Sequence, residues 1–329
     1  LMMLDNNWYG HRRILADFCN INDKPSFSII QHGWSATYND GHFGSKKKIS
    51  PPNICWSDIV KNKCQERGVK NIHSIGSPFL YLCKNLKTSK DDLDNQSEKG
   101  TIYFPCHNTT TIKDVETKHE KIIDEIEKVS KGPFTVCFYY ADLTDENIKL
   151  YKDRNWRIVC CGNRNDSHML HKIYIELSKH EKVIISEISS ITFYAMYLKK
   201  KIKLLKNVGN IILSDRGLNS MSTAMQKEYY NKLNQTSKDY YKTGMNLYNR
   251  QEESLINTYP SLVNDFLDGE NGLNIAKKEL GFESLKSSAE LKYLLGWSSY
   301  TKIFLSKVFS KYFDLKYGSK IRSGESELH

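Results

Sequence analysis

Short continuous apolar runs alternate with longer amphipathic stretches from the start of the chain to about residue 206. Short apolar runs are typical of buried strands, and stretches with apolar residues every third or fourth position are typical of helices. Their regular alternation predicts βαβ units on parallel sheets. After about residue 218 only the helical period remains, which predicts a helical extension.

The first part of the alternation predicts a Rossmann-like lobe. Its expected strands cover residues 1–4, 26–31, 53–56 and 71–75, and its expected helices cover 8–19 and 58–68. Because the first strand opens at Leu1, we expect further residues of this lobe upstream. A charged stretch over 84–100, poor in bulky apolar residues, follows and predicts an interdomain linker.

The second part predicts a complete Rossmann-like lobe. Its expected strands cover 101–105, 134–139, 157–161, 182–186 and 201–205, and its expected helices cover 112–130, 144–153, 167–178 and 190–198. The expected helices of the extension cover 220–234, 237–256, 271–280, 287–295 and 299–313. The predicted domains are therefore a first lobe (1–86), a linker (87–100), a second lobe (101–218) and a helical extension (219–329).

Composition narrows the class of protein. The 48 Lys and Arg residues against 38 Asp and Glu give a net charge of +10, which favours anionic partners such as nucleotides, headgroups or acidic glycans. No basic and aromatic stretch marks a nucleic-acid-binding module, so no nucleic acid is expected. The eight cysteines form no C-x-x-C pair, so neither a zinc site nor a disulfide framework is indicated, and buried thiols in a reducing cytoplasm are expected.

The last part of the chain is compatible with contact to a membrane surface. No apolar run approaches the roughly 18 residues of a membrane span. Residues 291–322 carry seven basic residues among apolar and aromatic ones. This segment predicts an amphipathic helix that either lies on an anionic leaflet or packs against the first lobe. The expected location is cytoplasmic, with peripheral attachment to the inner face of the membrane as the open alternative.

Candidate acceptor-side residues follow strands of the first lobe, because parallel sheets bind ligands beyond the carboxyl ends of their strands. Gln31, His32 and Gly33 come directly after one strand, and His32 can act as a general base or simply hydrogen-bond its own loop. Asp5 follows the first strand and can act as a base or cap the next helix. His11 lies one helical turn into that helix.

Candidate donor-side residues follow strands of the second lobe. His107, Asn108 and Thr109 precede a predicted helix, where they can cap it or bind a phosphate at its positive end. Arg164 follows the third strand and can neutralise a phosphate.

A hydroxyl-bearing turn after the fourth strand completes the donor-side candidates. Glu187 can accept from ribose hydroxyls, while Ser189 and Ser190 open a helix and can hold an anion or merely cap it. His168 and His171 have the spacing of a metal pair, but no third ligand accompanies them, so no metal is expected.

Four segments carry a family resemblance. They are Q-H-G-W at 31–34, W-S-D followed by G-V-K-N-I-H-S-I-G-S-P-F-L-Y-L over 56–82, Y-F-P-C-H-N-T at 103–109, and S-E-I-S-S-I-T-F-Y-A-M-Y-L-K-K-K-I at 186–202. In this order the chain resembles bacterial GT-B glycosyltransferases of capsule and lipopolysaccharide synthesis. The nearest groups are the Kdo and sialic-acid-type transferases and the CDP-glycerol glycerophosphotransferases.

The resemblance implies an α/β, GT-B-like fold of two Rossmann-like lobes with a cleft between them. It implies a donor phosphate at Ser189 and Ser190, and an acceptor activated by Asp5 or His32. The resemblance leaves the donor undetermined.

The expected activity is transfer of a sugar from a nucleotide donor to a surface polysaccharide or glycolipid. A CMP-activated nonulosonate or Kdo is the first choice of donor because its negative charge suits a basic cleft. The alternatives are a CDP-glycerol-type polyol-phosphate transferase and a non-catalytic glycan-binding or assembly subunit. No cofactor and no metal are expected beyond the nucleotide-sugar.

Overall fold

A computed structural model describes most of the two predicted lobes and part of the extension. The described residues are 8–22, 25–26, 28–35, 43, 51–87, 98–106, 115–117, 119–206, 209–211 and 250–297. Asp5, His107, Asn108 and Thr109 lie outside them, as do the first predicted strand and the helices predicted over 220–234 and 299–313.

The first sheet is small and parallel, in the order β1-β2-β3. Its strands are β1 (Ile29–Ile30), β2 (Asn53–Cys55) and β3 (Ile72–Ser74). The accompanying helices are α1 (His11–Phe18), α2 (Asp58–Glu66) and α3 (Pro78–Lys87). Ser57 caps α2, because its hydroxyl accepts the backbone N–H of Val60. These elements confirm the parallel α/β character predicted for the first lobe.

Helix α3 occupies residues that the sequence pattern did not predict to be helical. Its central residues Phe79, Leu80, Tyr81, Leu82 and Cys83 are all buried, so the helix has no polar face there that would show a helical period. The expected linker over 87–100 is also shorter than predicted at its carboxyl end. The next strand already begins at Glu98.

The second sheet has five parallel strands in the order β7-β6-β4-β8-β9. The strands are β4 (Glu98–Phe104), β6 (Phe134–Phe138), β7 (Arg157–Cys160), β8 (His180–Ile185) and β9 (Lys201–Leu204). The helices between them are α4 (His119–Val129), α5 (Asp145–Asp153), α6 (Met169–Lys179) and α7 (Ser190–Tyr197). This arrangement confirms a Rossmann-like sheet, and the strand order reverses between β4 and β8.

One predicted helix is wrong over its first residues. Residues Val115–Thr117 form strand β5, which pairs antiparallel with β10 (Gly209–Ile211), and the helix of this region begins only at His119. A pairing between segments so far apart in sequence leaves no local periodicity, so the pattern of residues 112–130 alone does not reveal it.

The extension packs back onto both sheets. Its helical segments are α8 (residues 250–258), α9 (Ser261–Asn264), α10 (Gly269–Glu279) and α11 (Ser288–Leu294). Helix α10 lies on α7, where a Cβ at Gly272 would come within 2.8 Å of the Met196 side chain. Ser77 of the first lobe donates its N–H to Leu280 O at 2.7 Å. The Trp297 indole donates to Pro25 O at 3.2 Å, so this end of the predicted amphipathic segment contacts the first lobe.

A single apolar cluster joins the two sheets and the extension. It runs from Ile14 and Phe79 through Phe193 and Tyr194 to Leu280. Phe79 of α3 and Tyr194 of α7 stack with their ring centroids 4.1 Å apart. The two lobes therefore share a core on the α3–α7 side.

The thiols behave as the composition predicts. Six of the eight cysteines are buried free thiols: Cys19, Cys55, Cys64, Cys83, Cys137 and Cys161. Burial raises the pKa of Cys19 and Cys55, and the hydrogen bond with Cys161 together with burial raises the pKa of Cys137. These groups therefore stay protonated and pack as small apolar side chains. None of the described helices is long and apolar enough to cross a bilayer.

Acidification is expected to destabilise the protein through His119. Burial lowers the pKa of this imidazole to about 4, and its Nδ1 lies 3.0 Å from the Tyr151 hydroxyl. An unfolded histidine has a pKa near ~6.5, so as pH falls from there towards 4 the unfolded chain binds a proton that the folded chain excludes. We expect a loss of about 1 kcal/mol between pH 7 and pH 5 from this residue.

Urea denaturation at both pH values would measure the effect, with His119→Gln as the comparison. The variant should lose about 1 kcal/mol less than the wild type on acidification. Equal losses in the two proteins would show that His119 does not carry this pH dependence.

Candidate functional site

The strand order of the second sheet reverses between β4 and β8, which predicts a ligand crevice at the carboxyl ends of these two strands. Parallel sheets bind ligands at such a reversal, because the connections leave it in opposite directions. Cys106, which follows β4, donates its thiol hydrogen to Glu187 Oε2 at 3.3 Å. Beneath them the Tyr103 hydroxyl and Ser186 Oγ lie 2.6 Å apart, and burial raises the pKa of Tyr103. The predicted Glu187 therefore stands at the rim of this crevice.

The turn that opens α7 faces the first lobe. Ser189 caps the helix in a reciprocal arrangement with Thr192, whose Oγ1 accepts the Ser189 N–H at 3.0 Å. Ser190 Oγ accepts the backbone N–H of Trp34 at 2.9 Å and also hydrogen-bonds the buried Tyr194 hydroxyl. Both serine side chains are half-buried. The capping interpretation is confirmed for Ser189, while Ser190 joins the two lobes.

The loop after β1 forms the opposing wall. Gln31 is buried and braces this loop, because its Nε2 donates to Gly33 O at 2.8 Å and its Oε1 accepts the Trp56 N–H at 2.9 Å. A Cβ at Gly33 would lie 3.4 Å from Ser190 Oγ, so the glycine permits close approach of the lobes. His32 is the half-buried side chain of this turn.

Trp34 connects the loop after β1 with α7 and α10. It was not among the candidate site residues selected from the sequence. Its indole N–H donates to Glu279 Oε2 of α10 at 2.7 Å, and its ring lies 5.0 Å from that of Phe193. The only feature of the sequence that could have identified Trp34 as a site residue is its place in the Q-H-G-W segment. Glu279 gave none, because it is one of several charged residues on an amphipathic helix.

The turn Trp8–Gly10 brings the start of the described chain against the second lobe. The Tyr9 N–H donates to Arg164 O at 2.6 Å, and the Arg164 guanidinium lies 5.9 Å from the centre of the Trp8 ring. The Trp8 ring in turn meets His32 edge-on at 5.4 Å between centroids. Arg164 and His32, predicted on separate lobes, are therefore linked through one indole.

His11 lies beneath this site. Its side chain is 1% exposed, with its ring 6.0 Å from that of Trp56 and 5.7 Å from that of Tyr9. The expectation that His11 faces the acceptor is therefore wrong, since it packs under the wall. The sequence predicted His11 one turn into a helix over 8–19, whereas helix α1 begins at His11 itself, and the pattern held no information on which side of the helix is covered.

The loop after β7 is held by local electrostatics. Asp166 accepts the His168 N–H at 2.8 Å and pairs with Lys172 at 2.6 Å, which lowers the pKa of the carboxyl group. Asp166 therefore lies two residues before the N-cap residue His168 of α6 and binds its N–H, but it is not itself the cap of the helix. Burial raises the pKa of Tyr139 on the neighbouring loop, and Arg164 opposes that rise.

A separate concavity lies away from these residues. It has a volume of about 280 Å³ against edge strand β9 and is lined by Lys128, Lys203, Leu205 and Lys206, among others. Lys203 Nζ donates to Val263 O and Asp265 O, so this lysine already serves the carboxyl end of α9. The candidate site is instead the crevice, because the strand order reverses there and the first lobe contacts the start of α7 beside it.

Within the described part of the chain, no three His, Cys, Asp or Glu side chains gather as a metal site. No protein-family model and no curated protein sequence matches this chain. The two lobes thus meet through Trp34 on Ser190 and through Trp8 between His32 and Arg164, while Glu187 lies beside Cys106 at the end of β4. Gln31 and His11 are buried behind the first-lobe side of these contacts.

Proposed function

We propose that this chain is a glycosyltransferase that moves a sugar from a nucleotide donor onto a surface polysaccharide or lipopolysaccharide acceptor. The observation that supports it most is the strand-order reversal between β4 and β8, whose crevice faces a histidine-bearing turn of the first lobe. A nucleotide site at a Rossmann reversal opposite a candidate base is the arrangement that such transfer needs.

The donor lies on the second lobe. Glu187 accepts from the ribose hydroxyls, and the phosphate is received by backbone N–H groups in the first turn of α7 other than those of Ser189 and Thr192, which the capping box uses. Ser190 keeps its bond to Trp34, so the phosphate is held by backbone N–H groups more than by the serine hydroxyls. On the sequence alone, the hydroxyls of Ser189 and Ser190 were expected to hold the phosphate. Backbone N–H groups take this role in the proposal because both hydroxyls already make other contacts.

The acceptor enters from the first lobe, where His32 takes the proton from the attacking hydroxyl. Its ring stands beside Trp8 at 5.4 Å and Tyr9 at 6.4 Å between centroids, which restricts its orientation. Rate enhancement then comes from positioning, from the base and from stabilisation of the leaving phosphate. Asp5 is the second candidate for this base.

A CMP-linked acidic sugar is the proposed donor, since the net charge of +10 suits its phosphate and carboxylate. CDP-glycerol is the competing donor. A non-catalytic glycan-binding subunit is the competing class, and it predicts that no nucleotide binds at the crevice.

A thermal-shift panel of CMP, CDP, UDP and GDP tests the donor site. At 100 times Kd, the preferred nucleotide should add about 2.7 kcal/mol and raise Tm by roughly 5 °C. Glu187→Gln should weaken this binding about tenfold, since a charge-assisted bond to ribose is lost. Glu181→Gln is the matched control, because Glu181 is at the opposite end of β8 and pairs with Lys201.

The outcomes separate the candidates. If no nucleotide shifts Tm, the transferase proposal fails and the glycan-binding subunit stands. If one does, CMP-sugar and CDP-glycerol are offered with an acceptor extract. His32→Ala should then lower kcat by about 10²-fold or more while the nucleotide-induced Tm shift stays unchanged.

A further inference from the structure

An aromatic and cationic surface flanks the crevice on the β6 and β7 side, and the proposed function leaves it unused. Tyr139 and Tyr140 follow β6 with their ring centroids 4.7 Å apart, and Tyr140 is 48% exposed. Arg164 follows β7, with its guanidinium over Trp8 at 5.9 Å. Arg164 opposes the rise that burial causes in the pKa of the Tyr139 hydroxyl, so the tyrosine pair and the arginine are neighbours.

The charge on Arg164 has no acidic partner among the residues that the structure describes. Three other arginines do have such partners: Arg13 with Asp17, Arg154 with Asp124 and Glu127, and Arg157 with Glu176. The nearest acid along the loop, Asp166, is engaged by Lys172. The exposed guanidinium of Arg164 instead lies 5.9 Å from the centre of the Trp8 ring, which attracts the cation without neutralising it.

We propose that Arg164 and Tyr140 form a subsite for an anionic sugar, with the sugar ring on the exposed tyrosine face and its carboxylate or phosphate on the guanidinium. Aromatic faces bury the apolar C–H face of a pyranose, and a guanidinium pairs with a planar carboxylate through two parallel hydrogen bonds. The two elements sit side by side on one edge of the sheet. This inference rests on the proposed function, because it takes the bound sugar to be part of the acceptor of the transferase.

On the sequence alone, Arg164 was expected to bind the donor phosphate instead. In the sheet, however, the strand that precedes Arg164 and the strand that precedes the phosphate site are not neighbours. The ends of β7 and β8 are three strand spacings apart in the order β7-β6-β4-β8, or about 14 Å. The start of α7, which follows β8, and Arg164, which follows β7, are thus carried by separate strand ends, and the subsite assigns a different anion to each. Arg164 serves a second charged group.

Saturation-transfer NMR with the full chain tests the subsite without relying on catalysis. The probes are glucose, glucuronate and glucose 6-phosphate, which share a ring and differ in charge, with CMP as a donor-site probe. We expect glucuronate or glucose 6-phosphate to bind at least tenfold more tightly than glucose, and which one binds identifies the anion. Arg164→Ala should abolish this preference, and Tyr140→Ala should weaken the same sugar about fivefold.

The controls are Arg154→Ala and Tyr293→Ala, which remove an exposed arginine and an exposed tyrosine elsewhere. Both should bind the sugars as the wild type does. Equal binding of glucose and the charged sugars, or retention of the preference in Arg164→Ala, overturns the subsite. Loss of CMP binding in Arg164→Ala also overturns it, because Arg164 would then hold the donor phosphate. Failure of CMP to bind the wild type, with sugar binding intact, instead overturns the proposed donor site alone.

Discussion

The Gly10→Ala variant is expected to lose about 3 kcal/mol or more of its free energy of unfolding. Gly10 has φ of +80°, a conformation that alanine adopts only with strain. An added Cβ would also overlap the backbone carbonyl of Ser167 in the second lobe. The turn that carries Trp8 and Tyr9 would have to leave the Arg164 loop, so the lobes would separate at the candidate site. Urea denaturation measures the loss.

Gly68→Ala provides the matched control for Gly10→Ala. Gly68 has φ of +83° but nothing within 4 Å of an added Cβ. Its substitution should therefore cost only the backbone strain, about 1 kcal/mol. A similar loss in both variants would mean that the contact between Gly10 and Ser167 contributes little to stability.

The second large effect is expected for Phe79→Ala, with a loss of about 3–5 kcal/mol. Phe79 is 0% exposed and packs on Tyr194, and it also approaches the rings of Tyr174 and Tyr197. The truncation opens a cavity between α3 of the first lobe and α7 of the second. Denaturation followed by fluorescence and by circular dichroism would measure it.

Phe79→Leu should lose less than half as much, because it retains most of the buried volume. Both variants should still unfold in one coincident transition, since the apolar cluster is continuous across the lobes. A loss below about 1 kcal/mol for Phe79→Ala, or two separate transitions in the wild type, would contradict a shared core.

The sequence by itself determined the parallel α/β character of the protein. Strand and helix periods are local properties, so the alternation located β4, β6, β7, β8 and β9 and the helices between them. It also determined which residues follow each strand. Because the carboxyl ends of parallel strands share one edge of a sheet, the positions of Glu187 and Ser190 along the chain were enough to assign them to a crevice.

Only the tertiary structure decided which of those side chains face the crevice. Helix α3 gave no periodic signal because its central turns are covered on all sides, and β5 depends on a partner far along the chain. His11 is enclosed by rings of other segments, whereas Arg164 lies over Trp8. These outcomes depend on contacts between residues distant in sequence, and a local pattern carries no information about what will cover a given face.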